Sequence, residues 1–153
     1  MSLIEKNLSA HGIVLPEPVA PVANYVPFVI TGNLVMISGQ VSIGADGLMT
    51  GKVGNDLSLE EGVKAAEACA VNLLAQLKAA CDGNLDRAVR CIRLGGFVNC
   101  GPEFTDHPKV INGASDLMVH AMGSAGKHAR AAVGSSSLPL GAAVEVDGIF
   151  EIA

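Results

Sequence analysis

One long amphipathic segment, from Ser58 to Gly83, constrains the fold more than any other part of this chain. Ser58 and Glu61 have the spacing of a capping box, in which each side chain binds the backbone N–H of the other residue. Apolar residues then recur every three or four positions along a single face: Val63, Ala66, Ala70, Leu73, Leu74, Leu77 and Cys81. Gly83 supplies a helix stop. The segment therefore predicts a long helix whose apolar stripe needs a second layer to cover it.

Short β-branched runs precede this helix. Residues 26–30 and 34–37 are separated by Thr31, Gly32 and Asn33, which is the chemistry of a tight hairpin turn. Asp46-Gly47 predicts a second turn with a third short strand. Beyond the helix, residues 88–98 form a predicted strand interrupted by Gly95-Gly96, either as a bulge or because something approaches the backbone closely.

A second helix is expected after Thr105 or Asp106, with Pro108 in its first turn and an end at Gly123 and Gly126. Its buried stripe comprises Val110, Ile111, Ala114, Leu117, Met118 and Ala121. Two more strands follow at residues 129–135 and 142–152. Four prolines between positions 16 and 27 indicate that residues 1–24 form an extended N-terminal arm. We therefore expect one α+β domain spanning residues 1–153, with two helices on one face of a mixed sheet.

Composition excludes several classes of function. The 153 residues carry 10 Lys and Arg against 15 Asp and Glu, a net charge of −5, and no basic stripe that would neutralise nucleic-acid phosphates. The apolar runs are too short to span a bilayer, and the N-terminus has no secretory signal, so we expect a cytoplasmic protein. Half of the residues are apolar and 16% are charged, which favours an oligomer as the place for the surplus apolar surface.

The cysteines, at positions 69, 81, 91 and 100, form no CxxC pair and have no histidine at metal-ligand spacing. We expect reduced thiols and neither zinc nor a cysteine nucleophile, because no base is placed beside one. Phosphate-binding, zinc-protease and hydrolase motifs are missing as well, and no cofactor is implied. None of His11, His107, His120 and His128 has an obvious partner.

Single polar residues in apolar strands are the remaining candidates. Arg130 stands in a strand of small residues, where its guanidinium could anchor a substrate carboxylate or form an ordinary salt bridge. Glu145, between Val144 and Val146, could pair with Arg130 or orient a water, and the sequence does not decide whether the two share a sheet face. Tyr25 could donate its hydroxyl to a ligand or simply pack.

Asn112 is a further candidate, because it lies inside the second predicted helix, where its intrinsic propensity is mediocre. It either faces solvent or makes a specific hydrogen bond.

Taken together, the spacings of several motifs resemble those of one family. Tyr25 precedes Ser38-Gly39-Gln40 at the expected distance, Arg130 precedes Leu138-Pro139, and Glu145 follows within Val144-Glu145-Val146. From about Tyr25 to Ala153 the chain is similar to the RidA/YjgF reactive-intermediate deaminases, also called the YER057c-like or L-PSP endoribonuclease family. Two departures are Ala132, where the family often has cysteine, and a longer segment between Phe104 and Arg130.

The resemblance implies a chorismate-mutase-like α+β fold assembled as a homotrimer, with active clefts between subunits. It also implies hydrolysis of enamine and imine intermediates, such as 2-aminoacrylate, to a 2-keto acid and ammonia. By the resemblance Arg130 would hold the substrate carboxylate, Glu145 would orient the attacking water, and Tyr25 would line the cleft from a neighbouring subunit. Gly39 and Asn112 match positions that shape the cleft and the interface.

Two alternatives stay open. The same trimer could bind or sense small carboxylates without turnover. An endoribonuclease or translation inhibitor, suggested by one of the family names, fits poorly with a net charge of −5 and a single tyrosine.

Overall fold

The computed structural model describes residues 1–21 and 23–153. Three α-helices lie in this part of the chain: α1 (Leu3–Ala10), α2 (Leu59–Ala80) and α3 (His107–Met122). The strands are β1 (Phe28–Thr31), β2 (Leu34–Val41), β3 (Ile43–Gly44), β4 (Gly47–Leu48), β5 (Ala88–Asn99), β6 (Ala129–Ser135) and β7 (Val144–Ile152). The predicted strands and both predicted helices are therefore confirmed, with bounds that differ by a few residues.

Five strands form one sheet in the order β1-β2-β7-β5-β6. β5 and β6 are parallel, whereas the other neighbouring strands are antiparallel, so the sheet is mixed and the α+β class is confirmed. The short strands β3 and β4 form a separate hairpin around Asp46-Gly47, where the second turn was predicted.

Helices α2 and α3 pack on the same face of this sheet. A Cβ atom added to Gly148 of β7 would contact Leu73 of α2, and Gly148 lies directly opposite Leu94 of β5. Gly96, two residues beyond Leu94 and so on the same face, leaves room for α3, because a Cβ there would lie 2.6 Å from the Ile111 side chain. The Gly95-Gly96 interruption is thus a close approach; the register shifts of β5 fall between residues 88 and 93.

The extended arm predicted for residues 1–24 is wrong over its first part, because α1 occupies Leu3–Ala10. Ser2 and Glu5 form a complete capping box at its start. Leu8 is buried, and the Asn7 side-chain amide donates to the Ala121 carbonyl of α3 at 3.0 Å. Residues 13–21 then run without helix or strand.

The other face of the sheet, called here the open face, carries exposed apolar side chains. Val29 is 52% exposed, Met36 43% and Val133 47%. The pair between Arg93 Nη1 and Asp147 Oδ1, 3.6 Å apart, lies among them. Since α2 and α3 both cover the opposite face, the open face is left uncovered and carries part of the exposed apolar surface of this chain.

The four cysteines are free thiols and all are buried, as expected. Within the described residues, no helix is long and apolar enough to cross a membrane.

Candidate active site

A β-bulge in β2 shapes the candidate site. Ile37 pairs with Gly148, and Gln40 pairs with Val146. Between these two pairs β2 advances by three residues while β7 advances by two, so β2 contains one extra residue, which lies at Ser38-Gly39. The Ser38 hydroxyl donates to the Val26 carbonyl at 2.8 Å, which ties the bulge to the chain entering β1. The Ser38-Gly39-Gln40 segment singled out in the sequence is therefore an irregularity that redirects one strand.

Glu145 of β7 lies directly against this bulge. A Cβ atom on Gly39 would come within 2.9 Å of the Glu145 carboxyl carbon, so the side chain takes its position because residue 39 is glycine. Burial raises the pKa of the Glu145 carboxyl above its usual value, and the nearby Asp147 carboxyl raises it further. The site thus holds a partly buried carboxyl whose charged form is less favourable than it would be in water.

A cleft of about 290 Å³ opens beside Glu145, a volume that suits a small molecule. Its lining includes Tyr25, Gly39, Gln40 and Pro139, together with Val19, Ala20 and Pro21 of the N-terminal segment. The Gln76 side chain of α2 donates to the Val19 carbonyl at 2.7 Å and so fixes that wall. Tyr25 is 52% exposed and lies at the rim. None of the described lining residues carries a cation.

Arg130 lies elsewhere in the chain. It pairs in register with Leu94 and so points to the helix-covered face at the sheet edge, whereas Glu145 alternates with the buried Val144 and Val146 and points to the open face. Arg130 Nη1 donates to Asn112 Oδ1 at 2.8 Å. No ion pair among the described residues includes Arg130. The intramolecular pair between Arg130 and Glu145, one of the possibilities considered from sequence, is therefore wrong.

Two histidines have partners that sequence reasoning missed. Ser115 Oγ lies 2.9 Å from His128 Nε2, and His128 Nδ1 lies 2.6 Å from the Gly126 carbonyl. His107 Nε2 lies 3.4 Å from Cys100 Sγ, where burial is the main reason that the thiol pKa is raised. No local sequence motif predicts either contact, because each contact depends on where α3 packs against the edge of the sheet.

The structure thus divides the five candidate residues into two groups. Tyr25, Gly39 and Glu145 share the cleft, whereas Arg130 and Asn112 are hydrogen-bonded to each other beside α3. Among the described residues, no group of three or more His, Cys, Asp or Glu side chains is arranged to hold a metal ion.

The chain matches a family described as "YjgF/chorismate_mutase-like, putative endoribonuclease" over residues 5–151. It is 46% identical to Protein TCP17 of Trypanosoma cruzi over 151 residues, which cover 97% of this chain and 94% of that protein.

Two crystal structures share the fold closely. The protein Atu1372 from Agrobacterium tumefaciens, of unknown function, is 49% identical with a TM-score of 0.92, over 99% of this chain and 93% of that one. A Shewanella oneidensis protein with the same endoribonuclease description is 37% identical with a TM-score of 0.93, over 97% of this chain and 99% of that one.

Proposed function

Since the chain belongs to the YjgF/chorismate-mutase-like family, we propose that it is a hydrolytic deaminase of small carboxylate-bearing enamines and imines. Substrates of the 2-aminoacrylate class would give a 2-keto acid and ammonia. The observation that carries the proposal is the Glu145 carboxyl packed on Gly39 inside a cleft of about 290 Å³.

The chemistry asks little of the protein. An enamine such as 2-aminoacrylate first tautomerises to its imine, as its terminal carbon gains a proton and its nitrogen loses one. A water oxygen then adds to the imine carbon, and Glu145 accepts one of the water protons as the C–O bond forms. The same carboxyl returns that proton to the nitrogen of the tetrahedral intermediate, which is then a carbinolamine. The carboxylate next carries the hydroxyl proton to the nitrogen as the C–N bond breaks, so that ammonia leaves and the C=O bond of the 2-keto acid forms. A carboxyl whose pKa lies above its usual value is suited to both transfers, and confinement in the cleft supplies the positioning.

The substrate carboxylate needs a cation that the described lining of the cleft does not contain. Arg130 is the candidate, because it has no acidic partner among the described residues and stands on β6, at the edge of the sheet. A guanidinium binds carboxylate through two parallel N–H donors. We therefore place Arg130 of one copy against the cleft of a neighbouring copy, in a homotrimer with clefts between subunits. The exposed apolar side chains of the open face support association.

The buried free thiols suit a reducing compartment, and we assign the protein to the cytoplasm. No cofactor enters the proposed reaction.

The test is the release of ammonia and keto acid from enzymatically generated 2-aminoacrylate and longer-chain imines. Wild type is expected to accelerate release. Arg130→Ala should lower kcat/KM by about 30-fold to several thousand-fold, because it removes one partner of a desolvated charge pair with the substrate carboxylate. Arg130→Lys should restore little, since an ammonium lacks the two-pronged geometry.

Arg90→Ala is the matched control and should behave as wild type, because Arg90 is exposed and its side chain donates a hydrogen bond only to the Lys127 carbonyl among the described residues. Folded, oligomeric wild type with no acceleration on any imine would contradict the deaminase and leave a carboxylate-binding protein without turnover.

A further inference from the structure

The Arg130 guanidinium sits in a network whose proton positions follow from its geometry. The Gly126 carbonyl can accept but cannot donate, so at 2.6 Å the His128 Nδ1 must carry a proton. In the neutral ring Nε2 is then an acceptor, and the Ser115 hydroxyl 2.9 Å away donates to it. The Ser115 oxygen in turn accepts from Arg130 Nη1 at 3.1 Å. Each donor in this chain thus faces an acceptor.

Counting donors shows what the network leaves over. A guanidinium has five N–H groups. Asn112 Oδ1 and Ser115 Oγ take both N–H groups of Nη1, and the Pro108 carbonyl takes one of Nη2 at 3.4 Å. Among the described residues, nothing accepts from Nε or from the second N–H of Nη2. These adjacent nitrogens form one edge of the guanidinium, and that edge fits the two oxygens of a carboxylate.

All three partners of the guanidinium are neutral oxygens. An aspartate at position 112 would neutralise the cation and compete with an incoming anion, whereas the asparagine amide oxygen orients it and leaves the charge intact. Ser115 is held in the same way, since its proton is committed to His128 and its oxygen can therefore only accept from Arg130. The network fixes the orientation of the guanidinium and leaves its positive charge without an anionic partner among the described residues.

From this geometry we infer that Asn112, Ser115 and His128 are positioning residues, which orient Arg130 so that its Nε and Nη2 edge receives a monocarboxylate side-on. This inference rests on the proposed function, because it assumes that Arg130 holds the substrate carboxylate. It adds that His128 works as the neutral Nδ1–H tautomer and acts on the substrate through Ser115 and Arg130.

The test measures binding of 2-oxobutanoate, a product-like 2-keto acid, by calorimetry to the full chain and its variants. Ser115→Ala and Asn112→Ala should each weaken binding about 3- to 10-fold, the loss of one hydrogen bond to a charged group, and Ser115→Thr should restore most of it. Ser124→Ala, at an exposed serine just beyond α3, is the matched control and should bind as wild type. Melting curves identify any variant that fails to fold, and Asn112→Ala, at an exposed helical position, is expected to fold.

A second readout is the tautomer of His128, observed in ¹⁵N-labelled protein and assigned by the loss of its signals in His128→Gln. The Nδ1–H tautomer is expected for the neutral ring, with a shifted Nε2 resonance in Ser115→Ala. A purely structural role would leave 2-oxobutanoate binding unchanged in the folded variants.

Three results would overturn the inference. If Arg130→Ala loses binding while Ser115→Ala and Asn112→Ala bind as wild type, Arg130 still holds the carboxylate but Asn112 and Ser115 do not position it. If His128 is the Nε2–H tautomer, Ser115 cannot donate to it, and the positioning role of His128 is contradicted. If wild type does not bind 2-oxobutanoate, or Arg130→Ala binds it equally well, Arg130 does not hold the carboxylate. The proposed function then loses its carboxylate-binding residue, and the positioning role is contradicted with it.

Discussion

At the scale of single residues, Gly39 fixes the position of Glu145 because residue 39 has no Cβ atom. Its backbone is not in the left-handed region, so the requirement for glycine is one of space. The atoms that an added methyl group would meet lie at the far end of the Glu145 side chain, which can turn aside. A change at position 39 should therefore move the carboxyl without disturbing the sheet.

Gly39→Ala is accordingly expected to lower kcat/KM at least about 10-fold, because a carboxyl displaced by an ångström no longer aligns the water, while the melting temperature changes little. Steady-state kinetics and calorimetric melting check both halves. Glu145→Asp shortens the side chain, so the Gly39→Ala/Glu145→Asp pair should lose less activity than the product of the two single losses. Strictly multiplicative losses would contradict the contact.

Glu145 is also expected to lower the stability of the fold as pH rises, although its carboxyl is needed for activity. Its pKa is raised in the folded state, so the carboxyl adds no penalty at pH below its unfolded pKa, where both states are protonated. As pH rises through the folded pKa, the buried charge destabilises the fold. Glu145→Gln should therefore match wild type in melting temperature at pH 4, exceed it at pH 8, and be inactive. Equal melting temperatures at both pH values would show that burial does not penalise the charge.

At the scale of elements, α1 shows what pattern reading passed over. Ser2 and Glu5 have capping-box spacing, and Ile4 and Leu8 are one turn apart, so the signal was present. The prolines that follow suggested an extended segment, and an eight-residue helix is marginal in isolation. Helix α1 is stabilised by packing on α3, and this tertiary contact cannot be predicted from the local sequence.

The strands and longer helices were predictable because each has its own period and end signals, as the Ser58 capping box and Gly83 show. The site was predictable in part. Alternation correctly set Glu145 apart from Val144 and Val146. The face of Arg130 follows from the parallel register of β5 and β6, in which Arg130 lies opposite Leu94, and these two strands are connected along the chain by α3. No spacing in the sequence encodes that register.

Helix α1 is joined to α2 by an ion pair that should make its docking acid-sensitive. The Lys78 ammonium, 2.7 Å from the Glu5 carboxylate, and the Ser2 backbone N–H lower the pKa of Glu5 from 4.5 to about 2. The resulting stabilisation is complete above the unfolded pKa and is lost as pH falls from about 4.5 to about 2.

Lys78→Met should therefore melt below wild type at pH 6, with a difference that shrinks towards pH 2. The comparison is a series of melting curves across that range. Lys64→Met, at an exposed lysine of the same helix, serves as the control and should show no such trend. A Lys78→Met difference that stays constant with pH would mean that Lys78 contributes packing alone.

At the scale of the whole molecule, the open face carries the prediction of assembly. Val133 lies near one edge of the sheet and Met36 near the other, and both are exposed apolar side chains on that face. Burying a charge in an interface core is costly. Val133→Asp should therefore shift the mass measured by light scattering from three chains to one.

Deaminase activity should fall with the mass, because Arg130 and the cleft would then belong to separate molecules. Val119→Asp, an equally drastic change at an exposed valine of α3, should leave the mass unchanged. A fully active single chain would contradict the shared site.

The placement of Arg130 and Glu145 on opposite faces of one sheet also has a genetic consequence. Two alleles, one encoding Arg130→Ala and the other Glu145→Gln, would each give an inactive protein when expressed alone. Co-expressed and randomly assembled, they would leave about one quarter of the clefts with both functional groups if, as proposed, each cleft takes its Arg130 and its Glu145 from two neighbouring chains. Such a pair would complement each other in the same cell, whereas two alleles of Glu145 would not.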